Sequence, residues 1–181
     1  LHSNFLAFLM DPNGTHGIGD FVLRRLVQHA LASTSKDKRT FDLISFSLTD
    51  LDDTLVLREH QNIDILAINH ERKLVIVVEN KVRSSEHSQQ LKRYKEYVES
   101  EYSGYGKIYL YLTPDSDGPS DKNYIAISYV EVAEIVEGCI ALPANKLSQI
   151  VRSVLEQYLH ILRRYIVADE KLNELAKAYY Q

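Results

Sequence analysis

The stretch that decides the fold is Asn62-Ile63-Asp64-Ile65-Leu66-Ala67-Ile68, followed after a short polar break by Lys73-Leu74-Val75-Ile76-Val77-Val78-Glu79-Asn80-Lys81. Two apolar, β-branched runs separated by Asn69-His70-Glu71-Arg72 read as a β-hairpin. A strand of Leu, Val and Ile should end in solvent or in more apolar residues. This one ends in a carboxylate, an amide and an ammonium, and Asp64 sits on the neighbouring strand. Charges against an apolar sheet are costly unless they are paired or hold a metal, so the pattern points to a metal site.

Parity sharpens the point. Side chains alternate faces along a strand, so Glu79 and Lys81 point the same way. A two-residue turn at His70-Glu71 places Asp64 opposite Val77, and a four-residue turn over 70–73 places it opposite Glu79. Either register puts Asp64, Glu79 and Lys81 on one surface. Opposed Cβ atoms lie roughly 5 Å apart and diagonal ones about 7–8 Å, close enough for two carboxylates to chelate one divalent ion. A slip of one residue would destroy the arrangement.

Asp64 with Glu79-Asn80-Lys81 resembles the PD-(D/E)XK nuclease superfamily, in which an Asp on one strand and a Glu-x-Lys on the next bind magnesium and activate water. Ser3-Asn4-Phe5-Leu6-Ala7-Phe8-Leu9-Met10-Asp11-Pro12-Asn13-Gly14-Thr15-His16-Gly17-Ile18-Gly19-Asp20 looks like the amino-terminal signature of one prokaryotic branch. Gln90-Leu91-Lys92-Arg93-Tyr94 looks like the helix that follows the active-site hairpin there. The match covers roughly residues 3 to 115. It implies an α/β fold: a restriction-endonuclease-like αβββαβ core, a mixed sheet flanked by helices, with the site near its centre.

The expected elements run in that order. A helix over 2–10 is ended by Asp11-Pro12-Asn13-Gly14, and a second runs from about 18 to 32. A polar linker over 33–40 leads to strands at 41–46 and 55–59. The hairpin over 62–81 precedes a helix over 85–99, a strand over 107–112, a polar loop over 114–121 and a short strand over 124–128. Helices follow at 129–137 and 147–166, with a weaker helical tail to Tyr180. One domain over 1–181 is expected, with its core over about 16–130 and a helical extension over about 145–181.

Composition sets the limits. The 181 residues are 45% apolar and 25% charged, ordinary for a globular protein. Cys139 is the single cysteine; it reads as a small buried residue and fits a reducing cytoplasm. No run approaches the roughly 18 apolar residues that span a membrane. The chain begins at Leu1 rather than Met, the mark of a trimmed start that could once have carried a targeting segment. The net charge of −4 speaks weakly against nucleic acid, but residues 81–95 carry Lys81, Arg83, Lys92, Arg93 and Lys95 against Glu86 alone. That basic block is either a solvated helix face or a path for phosphates. Lys92, Arg93 and Lys95 cannot all share one face of a helix.

Phosphodiester hydrolysis needs an activated water, neutralised charge at phosphorus and help for the leaving oxygen. Asp64, Glu79 and the backbone carbonyl of Asn80 suit Mg²⁺, with Mn²⁺ able to substitute. Lys81 would orient the water or stabilise the developing charge. If it serves catalysis rather than folding, Lys81→Ala should leave thermal stability unchanged or improved. Asp20 is either a helix-start acid or, as the resemblance implies, a metal-site residue. His16 could contact phosphate or cap its loop. Gln90 and Tyr94, four apart on one helical face, could hydrogen-bond the water or a phosphate oxygen, though Tyr94 could also pack. The resemblance alone makes Asn4 a buried amide tying the first helix to the site.

The expected activity is metal-dependent hydrolysis of nucleic acid, DNA first, in host defence or restriction. The rivals are an inactive nucleic-acid-binding or protein-interaction module on the same fold, and a domain holding a structural metal. The last long helix could pack on the core or carry a homodimer interface.

Overall fold

The hairpin resolves the register in favour of the longer turn. In the computed structural model, which describes residues 2–35, 41–82, 89–114 and 118–167, β2 (Ile63–Asn69) pairs antiparallel with β3 (Leu74–Asn80). Asn69 lies opposite Leu74, leaving residues 70–73 as the turn. The Asn69 side chain closes it by accepting from the Arg72 backbone N–H at 2.9 Å, and Lys73 takes a positive φ of 47°. Ile65 pairs with Val78, so Asp64 stands opposite Glu79.

On the other side of β2, β1 (Leu55–His60) joins through a tight turn at Gln61 and Asn62, with φ of 53° and 65°. Two consecutive positive φ values match the right-handed strand twist, as in two-residue hairpins. β3 continues into α4 (Gln90–Glu101) and returns as β4 (Gly106–Thr113), parallel to β3; β5 (Tyr124–Ser128) runs parallel to β4. The five strands form one mixed sheet in the order β1-β2-β3-β4-β5.

Helices cover both faces. α1 (His2–Met10), α2 (Phe21–Ser33), α5 (Tyr129–Ile140) and α6 (Gln149–Leu162) share one core with Ile65, Ala67, Ile76, Val78, Leu110 and Leu112. Among the described residues, the opposite face packs on α4, with Tyr102 and Tyr105 of the turn after it. Leu91, Tyr94 and Val98 of α4 form a narrow stripe over Leu66, Ile68, Val75, Val77, Tyr109 and Tyr111. Each fully buried Leu, Val or Ile contributes roughly 1.5–3 kcal/mol. β3 is closed on both faces, as β2 and β4 are over most of their length, which is why it reads as an unbroken apolar run.

Two expectations change, and four reach beyond the described residues, among them the linker at 36–40 and the loop at 115–117. The strand expected over 41–46 is instead a short helix, α3 (Leu43–Ser47). Asp42 caps it, its carboxylate accepting from Ser45 N–H at 2.9 Å, and Phe46 is fully buried. The last long helix, α6, ends at Leu162 and gives way to a π-helical turn, Arg163–Val167, rather than running on to 166. Its Leu155, Tyr158 and Leu162 are buried in the same core as α1, α2 and α5. The helix expected from residue 85 is described only from Gln90; residues 83–88 lie outside the described residues, Arg83 and Glu86 among them. The expected tail to Tyr180 lies outside them as well. Among the described residues, no helix is long and apolar enough to cross a membrane.

Candidate active site

β3 carries its charged end into the layer between the sheet and α4. Glu79 shares the face of Val75 and Val77 and is only 1% exposed. Lys81 leaves the strand, but its backbone N–H still donates to Leu112 O at 2.7 Å, so the turn away from the sheet begins only after it. Its side chain folds back under α4, with Nζ 2.7 Å from Glu79 Oε1. The Lys81 residue is 7% exposed.

The helix then completes a relay. Lys81 Nζ donates to Gln90 Oε1 at 2.8 Å, Gln90 Nε2 donates to Tyr94 Oη at 2.7 Å, and the Tyr94 hydroxyl donates to the Asn62 carbonyl. The Gln90–Tyr94 spacing sets both on the face of α4 that meets the sheet. Burial pushes the Tyr94 hydroxyl above its ordinary range, with the charges of Glu79 and Asp64 adding to it, so it stays a donor. Tyr94 is therefore both core and relay, and at 5% exposure it has no ring face open to a base.

Asp64 is half-buried and accepts from the Asn80 backbone N–H through Oδ2 at 2.8 Å. Burial raises its pKa; the Asn80 N–H and the Lys81 charge act in the opposite direction, and Glu59 adds to the rise. Glu59 is a neighbour that sequence reasoning misses. It falls between the Arg58–Ile65 and His60–Ile63 pairs, hence across the sheet from Asp64, with a positive φ of 52°. Nothing in an exposed Leu-Val-Leu-Arg-Glu-His strand marks it out.

Asn80 points to the opposite face. Its Nδ2 donates to Ser3 Oγ at 2.9 Å, and its Oδ1 accepts from Tyr129 Oη at 2.8 Å. α1 is thus tied to the site by Ser3; Asn4, expected in that role, is exposed.

Other expected site residues are employed elsewhere. Asp20 precedes α2 and pairs with Arg24, whose guanidinium also donates to Ser47 O at 2.9 Å and Thr49 O at 2.8 Å. The structure joins it to α3 rather than to the strand carboxylates. His16 is 2% exposed. Its Nδ1 accepts from Ile18 N–H at 3.1 Å, which leaves Nε2 as the donor to Asp11 O at 2.9 Å, and Phe8 meets its ring edge-on. Both ring nitrogens hold the loop, and burial lowers its pKa, so a phosphate contact finds no donor there. Lys92 and Arg93 are exposed on α4; Lys92 Nζ is 3.9 Å from Glu96, a surface contact of little weight. Cys139 is buried, and burial pushes its thiol up to about 12, as expected of a structural residue.

Lys81 corrects a further expectation. A buried lysine in contact with a buried glutamate cannot be removed without cost, so Lys81→Ala should destabilise the fold.

The donors fit a hard divalent ion. Asp64, Glu79 and the Asn80 carbonyl all offer oxygen donors, and Mg²⁺ commonly takes one or two carboxylates and keeps waters for the rest. The burial that disfavours the Asp64 charge is what a cation would offset. Among the described residues, no three Asp, Glu, His or Cys side chains gather as a fuller cage. A cleft of about 1000 Å³ lies elsewhere, lined by Phe41, Lys95, Lys107, Tyr109, Lys122 and Tyr124, and includes none of these oxygens.

A helix-flanked mixed sheet with opposed Asp and Glu, and a Lys two residues on, is the arrangement that the resemblance leads one to expect. The family model of the PD-(D/E)XK nuclease superfamily matches residues 1–181, the whole chain, and the chain belongs to that superfamily. No curated protein and no solved structure matches it.

Proposed function

We propose that this chain is a Mg²⁺-dependent nuclease that cleaves DNA in the cytoplasm, with Mn²⁺ able to substitute, in a host-defence or restriction role. The observation that carries the reading is the buried contact of Lys81 with both Glu79 and Gln90, beside an Asp64 whose charged form burial disfavours. A salt bridge kept only for stability would not require a second carboxylate nearby, nor a glutamine fixed by a tyrosine.

Asp64, Glu79 and the Asn80 carbonyl would hold the ion, which supplies Lewis-acid and charge-neutralising chemistry at phosphorus when bound. The chain's own contribution is positioning. Lys81 has three N–H donors, of which two are directed at Glu79 and Gln90. The remaining one serves the oxygen on which negative charge develops. Gln90 holds Lys81 in that pose, and Tyr94 holds Gln90 by spending its own proton on Asn62 O. Lys92 and Arg93, exposed on the same helix as Gln90, would meet the sugar–phosphate backbone in this reading.

The test is cleavage of single- and double-stranded DNA and RNA with Mg²⁺, with Mn²⁺ and with EDTA, alongside Asp64→Asn. Metal-dependent cleavage lost in Asp64→Asn supports the reading. Nucleic acid bound but never cut, with either metal, would establish the inactive binding module instead.

A further inference from the structure

The geometry points to Tyr129 and Ser3 as positioning residues that fix the Asn80 peptide from behind the sheet, so that its carbonyl and Asp64 are set for the metal. The inference rests on the metal reading above and adds residues to it from a different layer of the fold.

The need for such a clamp follows from the strand pairing. The β2–β3 ladder runs only as far as Ile65–Val78, while β3 continues to Asn80 against β4 alone. Among the described residues, the β2–β3 ladder has no register pair beyond Ile65–Val78, just where the ligands would begin. The Asn80 N–H turns to Asp64 Oδ2 instead, at 2.8 Å. That bond couples the Asn80 backbone to one carboxylate, so any rocking of the peptide moves both.

The side chain of Asn80 opposes that rocking. It is gripped at both ends of its amide, by Ser3 Oγ of α1 at 2.9 Å and Tyr129 Oη of α5 at 2.8 Å. Both helices are in the large core, on the face away from Glu79 and α4. Tyr129 is well anchored: it is fully buried, and it opens α5 directly after a capping box made by Ser128 and Glu131. Burial, with Tyr158 beside it, raises the pKa of its hydroxyl, so it remains a donor. The preceding β3 residues on this face, Ile76 and Val78, are apolar core residues, and packing alone would favour a third apolar side chain at position 80. An amide placed among apolar residues is tolerated only because both its ends are satisfied. Here those ends are satisfied by two helices far apart in sequence, and the side-chain amide of Asn80 is held at both ends from one face of the sheet.

The test compares Tyr129→Phe and Ser3→Ala with wild type, reading Mn²⁺ affinity by electron paramagnetic resonance and hydrogen exchange of the Asn80 amide in EDTA. Each variant removes one hydroxyl and keeps the packing, and Ser3→Ala at the partly exposed α1 position backs up Tyr129→Phe should the latter fold poorly. Removing a group that orients a ligand typically costs about 10–100-fold in metal affinity or activity. We expect Mn²⁺ affinity to fall about 10-fold in each, with kcat reduced and the KM for nucleic acid unchanged. In an Asn80→Leu background, Tyr129→Phe should have no further effect, because it acts through that amide. Exchange of the Asn80 amide should quicken, with Val77 as the internal reference. Wild-type Mn²⁺ affinity and unchanged Asn80 exchange in Tyr129→Phe would overturn the positioning role alone. A wild-type protein that takes up no Mn²⁺ would instead sink the metal reading, and this inference with it.

Discussion

Replacing Lys81 with methionine tests the site and the fold together. Methionine keeps most of the side-chain volume and removes the ammonium. What remains is Glu79, whose side chain is 1% exposed, with its contact at 2.7 Å gone and Asp64 opposite. Removing one partner of a buried ion pair costs about 3–5 kcal/mol, because the other charge stays desolvated. Exposure of the pair is too low for solvent screening to reduce this much; the lysine side chain is 8% exposed. For a protein of this size each kcal/mol moves Tm by about 2–4 °C, so Lys81→Met should melt roughly 6–20 °C below wild type. The assay is circular-dichroism melting near neutral pH in EDTA, so that no metal can replace the missing charge. Adding Glu79→Gln should recover most of the loss, since the uncompensated charge goes with it; the pair forms a double-mutant cycle with a large coupling. Nuclease activity should fall on the order of 10²–10³-fold in Lys81→Met and stay low in the double variant. A Lys81→Met protein that melts within a degree or two of wild type in EDTA would refute the buried-pair argument.

Three further outcomes follow from the same geometry. Asp64 has its folded pKa raised above the ordinary 3.8, so its ionisation destabilises the metal-free fold, and that penalty grows as pH rises from the unfolded value through the folded one; Asp64→Asn in EDTA should thus match wild type in strong acid and gain on it at neutral pH, as read by melting across a pH series. With Mg²⁺ at ten times its dissociation constant, wild type should gain about 1.4 kcal/mol of stability and Asp64→Asn almost none, and equal gains in the two would show that the ion binds elsewhere. Removing the exposed Lys92 and Arg93, with half-buried Lys95, should lower the salt slope of duplex-DNA binding by about 0.9 for each lost phosphate contact, and an unchanged slope in the triple variant would make this a merely solvated helix surface.

What is legible in the sequence is local. Parity alone places Asp64, Glu79 and Lys81 on one face, because both candidate registers share it. The choice between registers is not legible, since it turns on the Asn69 side chain closing the turn onto Arg72 and on Lys73 accepting a positive φ. The strand expected at 41–46 fails for a related reason. Leu43-Ile44-Ser45-Phe46 has the apolar and aromatic content of a strand, and the single cap from Asp42, with Phe46 drawn into the core, outweighs it. His16 and Asp20 are marked by motif, which records residue type and spacing but not whether a neighbour five residues before or four after will take up the polar atoms.

The deeper limit is that the site is assembled from three layers. The face toward α4 can be read because Gln90 and Tyr94 follow the hairpin closely and obey helical spacing. The face toward α1 and α5 cannot: Ser3 lies 77 residues from Asn80, and Tyr129 lies 49 away on the other side. Neither has a neighbour that marks it, and a tyrosine opening a helix is indistinguishable from a core aromatic until the sheet order, with β5 beside β4, brings the start of α5 behind β3. The two faces also divide the work. Toward α4 stand the charged groups, Glu79 and Lys81, with Gln90 and Tyr94 holding the lysine. Toward the large core stands a neutral amide locked by hydroxyls, whose loss would change the geometry of the ligands without changing their charge. Substitutions on the α4 face should therefore move stability and the chemical step together, and those behind the sheet should move metal affinity while leaving the charge balance of the site intact. Tyr94→Phe and Tyr129→Phe each remove one hydroxyl and make the sharpest comparison: the first should lower kcat with Mn²⁺ affinity close to wild type, the second should lower both, and the same response from both variants would mean that the peptide of Asn80 is not held independently of Lys81.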